Sequence, residues 1–399
     1  MSKIYTEAPT TPSGLAYTGN PIVIADPAEV VSQQLAGYPF TVDMGGRRVY
    51  EGRFHHPYSV DVSGIVDAFA PDLPGFGYGP MLDCGFVCEI EGPEEFARRT
   101  TYIHFDGETE REYGFVAMRG GVSASNRRCL ALTPGEDIFT ARFLAKDTCF
   151  FMTARTSGWR LNIKETELRP LVFVTDTEDE TITAVEKTTG QSLTADGFGP
   201  GVYALDVDAL RRRFFEEKGV LPSVFDIYRR GSMACRIAVT RAEVSADRCR
   251  LMFRNSFGAF ETIELTGKVT CSPGWDSAEE AACKSYDLLT GEYITERGRT
   301  AMSSKLTVDT GFKTPGEIRL MLDMVGSDNV QLVGLLPRAV RVIPSIEEPG
   351  HSLRQDAPES FTLLLDMSED GMFVTPDFAG PSDMRRPRVF SPHFDGRFN

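Results

Sequence analysis

The sequence predicts a mainly β protein with tandem β-sandwich or β-barrel-like modules, short helices, an internal duplication and a C-terminal α+β region. The 37 glycines and 24 prolines are spread along 399 residues, so turns must be frequent and elements short. Apolar and polar residues alternate in many short runs, as they do on half-buried strands. One order of elements also occurs twice, which predicts two related modules.

A chain of 399 residues is too long for one hydrophobic core, so we expect several domains. Shifts in composition and periodicity predict five segments. They are an N-terminal arm (1–20), a first β module (21–168), a second β module (169–280), a C-terminal α+β domain (281–384) and a C-terminal arm (385–399).

The first β module begins with a hairpin and continues into a strand and a short helix. Phe40–Met44 alternates apolar and polar residues, and Gly45-Gly46 supplies a tight turn because glycine accepts positive φ angles. Tyr58–Val62 has the pattern of a strand, and Ser63–Phe69 suits one or two helical turns. We expect Asp61 to cap this helix.

The same order returns at a constant offset of 145 residues, as from Tyr58 to Tyr203. A second hairpin turns at Gly190, a strand follows, and we expect Asp206 to cap the next helix. Six positions agree in residue type: Tyr58 with Tyr203, Val60 with Leu205, Asp61 with Asp206, Val62 with Val207, Ile65 with Leu210 and Phe69 with Phe214. Tyr113-Gly114 also falls near the register of Phe257-Gly258. We interpret this pattern as an internal duplication; a chance match of short units is the alternative.

The C-terminal region combines strands with the clearest helix of the chain. Tyr286–Tyr293 is predicted as a strand. Thr314 is placed as the cap of the following helix, Pro315 at its first position, and Glu317 completes a capping box. The acidic run 176–180 is interpreted as a solvated loop rather than a calcium loop, because it lacks the glycine and the closing glutamate of an EF-hand.

Charge and cysteine content exclude several classes of partner. The formal net charge of −15 repels phosphate backbones and anionic bilayers, which predicts no nucleic-acid partner and no membrane insertion. The first residues lack a basic start followed by an apolar run, so we expect no signal peptide and synthesis in the cytoplasm. The eight cysteines lack the spacing of a zinc or redox motif and are predicted to be reduced.

No pattern of reactive residues predicts an active site. The adjacent pair His55-His56 has no third ligand at a useful spacing, and no nucleophile elbow, zinc-protease helix or phosphate loop occurs. We therefore predict no catalytic, cofactor-binding or metal-binding residue, no cofactor, and a protein that is not an enzyme. Spacing cannot locate a carboxylate pair among 57 acidic residues, so a hydrolase stays an alternative.

The run Phe253-Arg254-Asn255-Ser256-Phe257-Gly258 resembles turns that join two strands in prophage-encoded tail-associated structural proteins. We expect Gly258 to supply a backbone conformation closed to other residues. The resemblance implies a structural component of a phage tail or tail-like particle, of distal-tail, hub or baseplate type. It implies a virion location, self-association and contacts with other tail or baseplate proteins.

Two other functions remain open on the sequence besides the hydrolase. One is a β-sandwich protein that binds a glycan or a host surface, and the other is an intracellular scaffold. An exposed aromatic cluster would favour glycan binding.

Overall fold

The computed structural model describes residues 13–25, 38–54, 59–75, 77–105, 111–133, 136–155, 159–242, 245, 248–275, 282–297, 302–334, 339–346 and 359–367. Strands account for 46% and helices for 18%, with several sheets that include a curled half-barrel. The prediction of a mainly β fold with short helices is confirmed.

The chain forms two compact units. The first contains the described residues of Met1–Glu243, Phe253–Thr262 and Pro315–Asp328. The second contains those of Val244–Met252, Ile263–Thr314 and Asn329–Asn399. Both copies of the repeated module therefore lie in the first unit, and so does the helix predicted for the C-terminal region.

The first copy contains eight strands and three short helices. The strands are β1 (Leu15–Tyr17), β2 (Val23–Ala25), β3 (Tyr38–Met44), β4 (Arg47–Phe54), β5 (Ser59–Asp61), β6 (Val87–Glu91), β7 (Thr100–Phe105) and β8 (Arg111–Met118). The helices are α1 (Ser63–Phe69), α2 (Pro93–Ala97) and α3 (Ala124–Leu130), and a π turn follows at Phe139–Phe143.

A five-stranded sheet in the order β1-β8-β7-β3-β4 forms the body of the first copy. Its β1–β8 pair is parallel, and its other pairs are antiparallel. The strands β2 and β5 pair separately. Alternate residues such as Val42 and Ile103 pack against Val62 and Val66 at the start of α1. The helix thus covers the apolar face of its own sheet.

The second copy contains strands β9–β15 and the helix α4, which is longer than any described helix of the first copy. Its elements are β9 (Arg160–Lys164), a 3₁₀ turn (Glu165–Glu167), β10 (Leu171–Thr175), β11 (Glu180–Glu186), β12 (Ser192–Phe198), β13 (Gly201–Leu205), α4 (Val207–Lys218), β14 (Val224–Arg229) and β15 (Ser232–Thr240). Its main sheet has the order β12-β11-β14-β15-β9, with β9 parallel to β15.

The two main sheets have the same topology. In both sheets a hairpin (β3–β4 or β11–β12) lies at one edge, and its first strand pairs with the first strand of a later hairpin (β7–β8 or β14–β15). The first strand of each copy, β1 or β9, forms the other edge and is parallel to its neighbour. In both, a separate antiparallel pair (β2–β5 or β10–β13) leads into the helix. This agreement, element for element, supports the interpretation of an internal duplication.

The limits of the repeat differ from those read in the sequence. The second copy begins with β9, upstream of the predicted start at residue 169, because β9 closes its sheet. The proposed match of Tyr113-Gly114 with Phe257-Gly258 is wrong. Tyr113 lies in β8, whose counterpart is β15, whereas Phe257 and Gly258 lie in a turn further along the chain.

The two copies share a buried cluster instead of packing as separate bodies. Leu15, Tyr17 and Met118 come from the first copy, and Val174 and Val202 come from the second. In addition, β6 of the first copy pairs with β13, which gives a three-stranded sheet in the order β10-β13-β6. Shared buried residues and a shared sheet therefore join the two copies.

The acidic run 176–180 is a loop over residues 176–179, where Asp176, Glu178 and Asp179 are exposed as predicted, but its last residue is not part of that loop. Glu180 opens β11 and is fully buried, with its carboxylate accepting hydrogen bonds from the buried guanidinium of Arg229 at 2.5 and 2.9 Å. Arg229 also donates to the carbonyls of Phe143 and Val174, at 2.5 and 3.0 Å. The pair is satisfied, as a buried charge must be.

A seven-stranded sheet in the order β17-β16-β22-β23-β24-β21-β18 and a two-stranded hairpin follow. The strands are β16 (Cys249–Arg254), β17 (Phe260–Leu265), β18 (Val269–Trp275), β19 (Ala282–Asp287), β20 (Glu292–Arg297), β21 (Met302–Asp309), β22 (Val330–Val333), β23 (Val340–Ile346) and β24 (Thr362–Met367). The helix α5 (Pro315–Val325) begins at the proline that the sequence indicated.

Candidate functional site

The predicted cap at Asp206 is present. The Asp206 carboxylate accepts the backbone N–H groups of Asp208 at 2.9 Å and Ala209 at 3.0 Å, which satisfies two free donors at the start of α4.

Asp61 acts differently from its counterpart. The N-terminal cap of α1 is Val62, so Asp61 lies one residue too early. Its carboxylate accepts N–H groups from Ser63 and Ile22, both at 3.0 Å, and so joins the start of α1 to the segment before β2. Partial burial opposes ionisation, but these hydrogen bonds prevail and lower the pKa of Asp61.

Of the remaining predicted residues, Tyr203 has a packing contact and Glu317 an ion-pair contact. Tyr58 lies outside the described residues, and Tyr203 is buried with its ring centroid 5.9 Å from that of Phe173. Burial, with a contribution from the charge of Glu89, raises the pKa of Tyr203 to about 12. Thr314 directly precedes α5, and Glu317 forms an ion pair with Lys164 at 3.1 Å. The predicted residues that the structure describes do not converge on one site.

Gly258 has the conformation that the sequence predicted. Its φ is +87°, and a side chain there would overlap the carbonyl oxygen of Arg119. The Asn255 side chain holds the same turn, because its oxygen accepts the N–H groups of Phe257 and Ala259 at 3.0 and 3.1 Å. The motif Phe253–Gly258 is therefore a tightly determined turn between β16 and β17.

This turn forms part of the wall of an open cleft of about 730 Å³ in the first unit. Small residues dominate the lining, which also contains two arginines and three aspartates. The lining residues are Thr18, Gly19, Ser63, Gly64, Asp67, Arg119, Gly120, Gly121, Val122, Ser123, Arg254, Asn255, Ser256, Gly258, Asp323, Gly326, Ser327 and Asp328.

The charged groups of the cleft are paired with one another. Arg119 donates to the carboxylate of Asp72 and to the carbonyl of Asp67, both at 2.7 Å. Arg254 contacts the carboxylates of Asp72 and Asp328. The hydrogen bond to Asp72 raises the pKa of Arg119. This chain of ion pairs joins several segments and leaves both guanidinium groups engaged.

Ser256 and Asp323 form a hydroxyl–carboxylate contact in the described lining, as do Thr18 and Asp67. The N–H and hydroxyl of Ser256 donate to the two oxygens of Asp323. Burial raises the pKa of Asp323 despite these bonds. An aspartate is a weak base toward a serine hydroxyl, and the described lining contains no histidine. The contact fixes the turn and does not activate a nucleophile.

The described part of the chain offers no other sign of cofactor chemistry. No cluster of three or more metal-ligating side chains occurs among the residues the structure describes. All eight cysteines are unpaired. Within the same residues, no helix is long and apolar enough to cross a membrane.

The most exposed apolar feature of the described residues is the tip of the β19–β20 hairpin in the second unit. Leu288 and Leu289 are 88% and 97% exposed, and the Tyr286 and Tyr293 rings beside them are also exposed. The two rings contact each other across the hairpin, with centroids 5.2 Å apart. We call these four residues the hairpin tip.

The hairpin tip is exposed but structurally defined. Asp287 accepts the N–H of Leu289 and the hydroxyl of Thr290, both at 2.9 Å, and the N–H of Gly291 bonds to the Asp287 carbonyl at 2.8 Å. The hydrogen bonds from Leu289 and Thr290 lower the pKa of Asp287. Gly291 closes the turn with a φ of +73°. The two leucines are thus presented on a preformed turn.

The sequence prediction of one strand over Tyr286–Tyr293 is wrong, because residues 288–291 form a turn. The signal was present: Asp287 precedes a turn that Gly291 ends, which is typical of a hairpin loop with a left-handed last residue. Because two leucines lie inside the loop, the segment had the apolar pattern of a continuous strand.

No protein-family model matches the chain, and no curated protein is significantly similar to it in sequence.

Proposed function

We propose that this protein is a structural subunit of a phage tail or tail-like particle and acts through protein–protein contacts. The observation that carries the proposal is the hairpin tip, which presents Leu288 and Leu289 to solvent on a preformed turn. Large exposed apolar groups in a defined geometry mark interaction surfaces.

Simple energetics favour a covered tip. Burying one leucine side chain contributes roughly 1.5–3 kcal/mol, so the two leucines can anchor an interface. Because the Asp287 hydrogen bonds already fix the turn, little conformational entropy is lost when a partner covers it.

The cleft supports the same proposal by its chemistry. Its carboxylates and guanidinium groups form ion pairs and hydrogen bonds that hold segments together. Such an arrangement suits a rigid building block better than a hydrolase, which needs a free acid and base at working distance. The phage-tail identity itself is supported by the resemblance of Phe253–Gly258 and by the duplicated β module.

The proposal is tested by the mass of the purified chain in solution over a range of concentrations, followed by electron microscopy of any assembly. We expect oligomers of the wild-type chain, alone or with co-expressed products of neighbouring genes. The double variant Leu288→Asp/Leu289→Asp should lose them. The matched control is Leu132→Asp, at an equally exposed leucine of the first unit. A chain that stays monomeric and joins no particle would contradict the proposal.

Glycan binding is the second candidate, favoured by the exposed pair Tyr286 and Tyr293. Sugars stack on exposed aromatic rings. A glycan array probed with the wild type and with Tyr293→Ala distinguishes the two functions: binding that disappears in the variant favours the glycan-binding function.

A further inference from the structure

The strand β12 forms an open edge of the main sheet of the second copy. It pairs with β11 on one side, and no described strand lies on its other side. Ser192, Thr194 and Asp196 on this strand are exposed. An open edge can pair with a strand of another molecule, because its outward backbone N–H and C=O groups have no partner within the sheet.

The backbone hydrogen bonds of the hairpin show which groups of β12 face outward. The N–H of Glu186 donates to the carbonyl of Gln191 at 2.8 Å, so these two residues form a hydrogen-bonded pair. Hydrogen-bonded and non-hydrogen-bonded pairs alternate along an antiparallel ladder. Every second residue after Gln191 therefore bonds to β11, and the residues between them direct their N–H and C=O groups to the open side. These outward-facing residues are Ser192, Thr194 and Asp196.

The corresponding edge of the first copy is protected against pairing, whereas β12 is not. The corresponding strand is β4, which carries Arg47, Arg48 and Arg53. Charged residues and proline on an edge strand oppose pairing with other molecules. β12 contains no proline and no basic residue, and its one charge is on Asp196. Its irregular register lies beyond Asp196, so residues 192–196 form a regular edge.

Two further edge strands of the described sheets carry the same protection. β9 has Arg160 and Lys164 at its two ends, and β18 contains Pro273. An exposed edge without protection, in a chain that protects these others, indicates that another strand covers β12.

A two-fold axis at Thr194 gives β12 a complementary partner in β12 of a second copy. In this antiparallel register, Thr194 lies opposite itself and Ser192 lies opposite Asp196 of the other copy. The Ser192 hydroxyl can donate to that carboxylate, and the two Asp196 carboxylates stay about 13 Å apart along the strands. On the inner face, the half-buried Leu193 meets Ala195 of the other copy.

Neighbouring side chains extend this complementarity. The hydroxyls of Thr183 on β11 and Thr194 already lie 3.1 Å apart, so pairing gives a row of four threonines, two from each copy. Cross-strand threonine pairs stabilise sheets. At its ends the register brings the hairpin turn, with the exposed Lys187, toward Glu178 of the second copy, whose carboxylate lies beside Gly199. These two charges are opposite in sign.

We propose that two copies of this chain pair through β12, antiparallel about Thr194, and join two five-stranded sheets into one. So short a pairing buries less than the roughly 1,200 Å² of a small stable interface, so the contact is weak alone. It gains strength where other contacts hold the copies together. The pairing itself requires neither the hairpin tip nor a tail-like particle.

Thr194→Cys tests the pairing, because the two-fold places the new thiol opposite the same thiol of the second copy. Facing residues of a hydrogen-bonded antiparallel pair have Cα atoms about 5.5 Å apart, which a disulfide spans. We expect oxidation with copper phenanthroline to link position 194 of both copies, as identified by mass spectrometry of non-reduced peptides. The matched control is Thr183→Cys on the same face of β11, where the two copies lie about 14 Å apart and should not link.

Substitutions at Ser192 test the register. In the Thr194→Cys chain, Ser192→Asp places a like charge opposite Asp196 at both ends of the pair and should slow the cross-linking at least about twofold. Ser192→Lys places an opposite charge there and should accelerate it by a similar factor. Both changes fall on the same exposed position, so loss of folding cannot produce opposite signs.

The outcomes separate this inference from the proposed function. The disulfide at position 194 should still form in the Leu288→Asp/Leu289→Asp chain, because the pairing does not use the hairpin tip. Equal cross-linking at positions 194 and 183 would overturn the inference and leave the proposed function intact. A cross-linking rate that does not depend on the sign of the charge at position 192 would also overturn it.

Discussion

The two copies of the module share a topology but bury different amounts of their helices. In the second copy, α4 has 12 residues, a side-chain cap and a fully buried Phe214. In the first copy, α1 has seven residues and no side-chain cap, and Phe69, the residue that matches Phe214 in sequence, is 53% exposed. A matching residue type at a matching offset therefore does not guarantee an equivalent environment.

The difference follows from what each helix must cover. In the second copy, Leu210 and Phe214 pack against Phe225 and other residues of the main sheet. In the first copy, Val62, Val66 and Ala70 make the corresponding contact, which turns Phe69 toward solvent. Successive residues on a helix point about 100° apart, so a shift of one residue moves a side chain from the core face to the surface.

The largest effect is expected from truncation of Phe214, in contrast to its counterpart Phe69 in the first copy. Phe214→Ala should lower the free energy of unfolding by roughly 3–5 kcal/mol, because it leaves a cavity in a closed core. Phe69→Ala should cost less than about 1 kcal/mol, since the ring is half exposed. Urea unfolding of both variants measures the contrast; equal losses would show that the two helices are energetically equivalent after all.

A second contrast concerns two glycines with positive φ. Gly190, in the hairpin turn of the second copy, has open space around it, so Gly190→Ala should cost roughly 1–2 kcal/mol from backbone strain alone. Gly258→Ala should cost more, because its Cβ would also collide with the Arg119 carbonyl. Thermal unfolding compares the stability of the two variants. A Gly258→Ala variant as stable as Gly190→Ala would mean that the backbone at Arg119 can shift at little energetic cost.

The cap of α4 provides a smaller effect. Asp206→Ala should destabilise the protein by roughly 1 kcal/mol, because two N–H groups at the helix start lose their acceptor. Asp206→Asn keeps an acceptor and should recover most of the loss. Circular dichroism during urea unfolding gives the free energy of unfolding of both variants. An alanine variant as stable as the wild type would indicate that water caps this helix equally well.

The smallest effect is expected at Asp323, and its direction depends on pH. Burial raises the pKa of this carboxyl, so its contribution to stability is complete below the ordinary value of 3.8 and is lost as pH rises through the raised value. Asp323→Asn should therefore change stability at neutral pH by less than about 1 kcal/mol and in the stabilising direction. It should also flatten the pH dependence in the acid range.

The matched control is Asp328→Asn, an exposed carboxylate of the same cleft that pairs with Arg254. Unfolding at pH 4.5 and pH 7.5 separates the variants. A steeper acid dependence in Asp323→Asn than in the wild type would contradict the expected sign.

Local signals were sufficient to predict much of the fold. Paired glycines located the first hairpin, Pro315 located the start of α5, and the spacing from Tyr58 to Tyr203 revealed the repeat. The hairpin and the helix start depend on residues close in sequence, and the repeat is a recurrence of residue types at a fixed spacing, so all three could be recognised without a structure.

The features that failed depend on distant residues. The partner of Glu180 is Arg229, 49 positions away, so the burial of this last residue of the acidic run could not be predicted from the sequence. The cleft likewise combines segments far apart in the chain. The hairpin tip was predictable from Asp287 and Gly291, but its neighbouring leucines favoured a strand.

The pairing of β6 with β13 has a consequence for how the chain acquires its structure. Residues 87–91 precede Gly201–Leu205 by more than 100 positions, and both first-to-last pairs, β1 with β8 and β9 with β15, also close long loops. Contacts of this kind form slowly, because loop-closure entropy must be overcome before they stabilise anything. We therefore expect β6 of the first copy to pair only after β13 of the second copy has been synthesised.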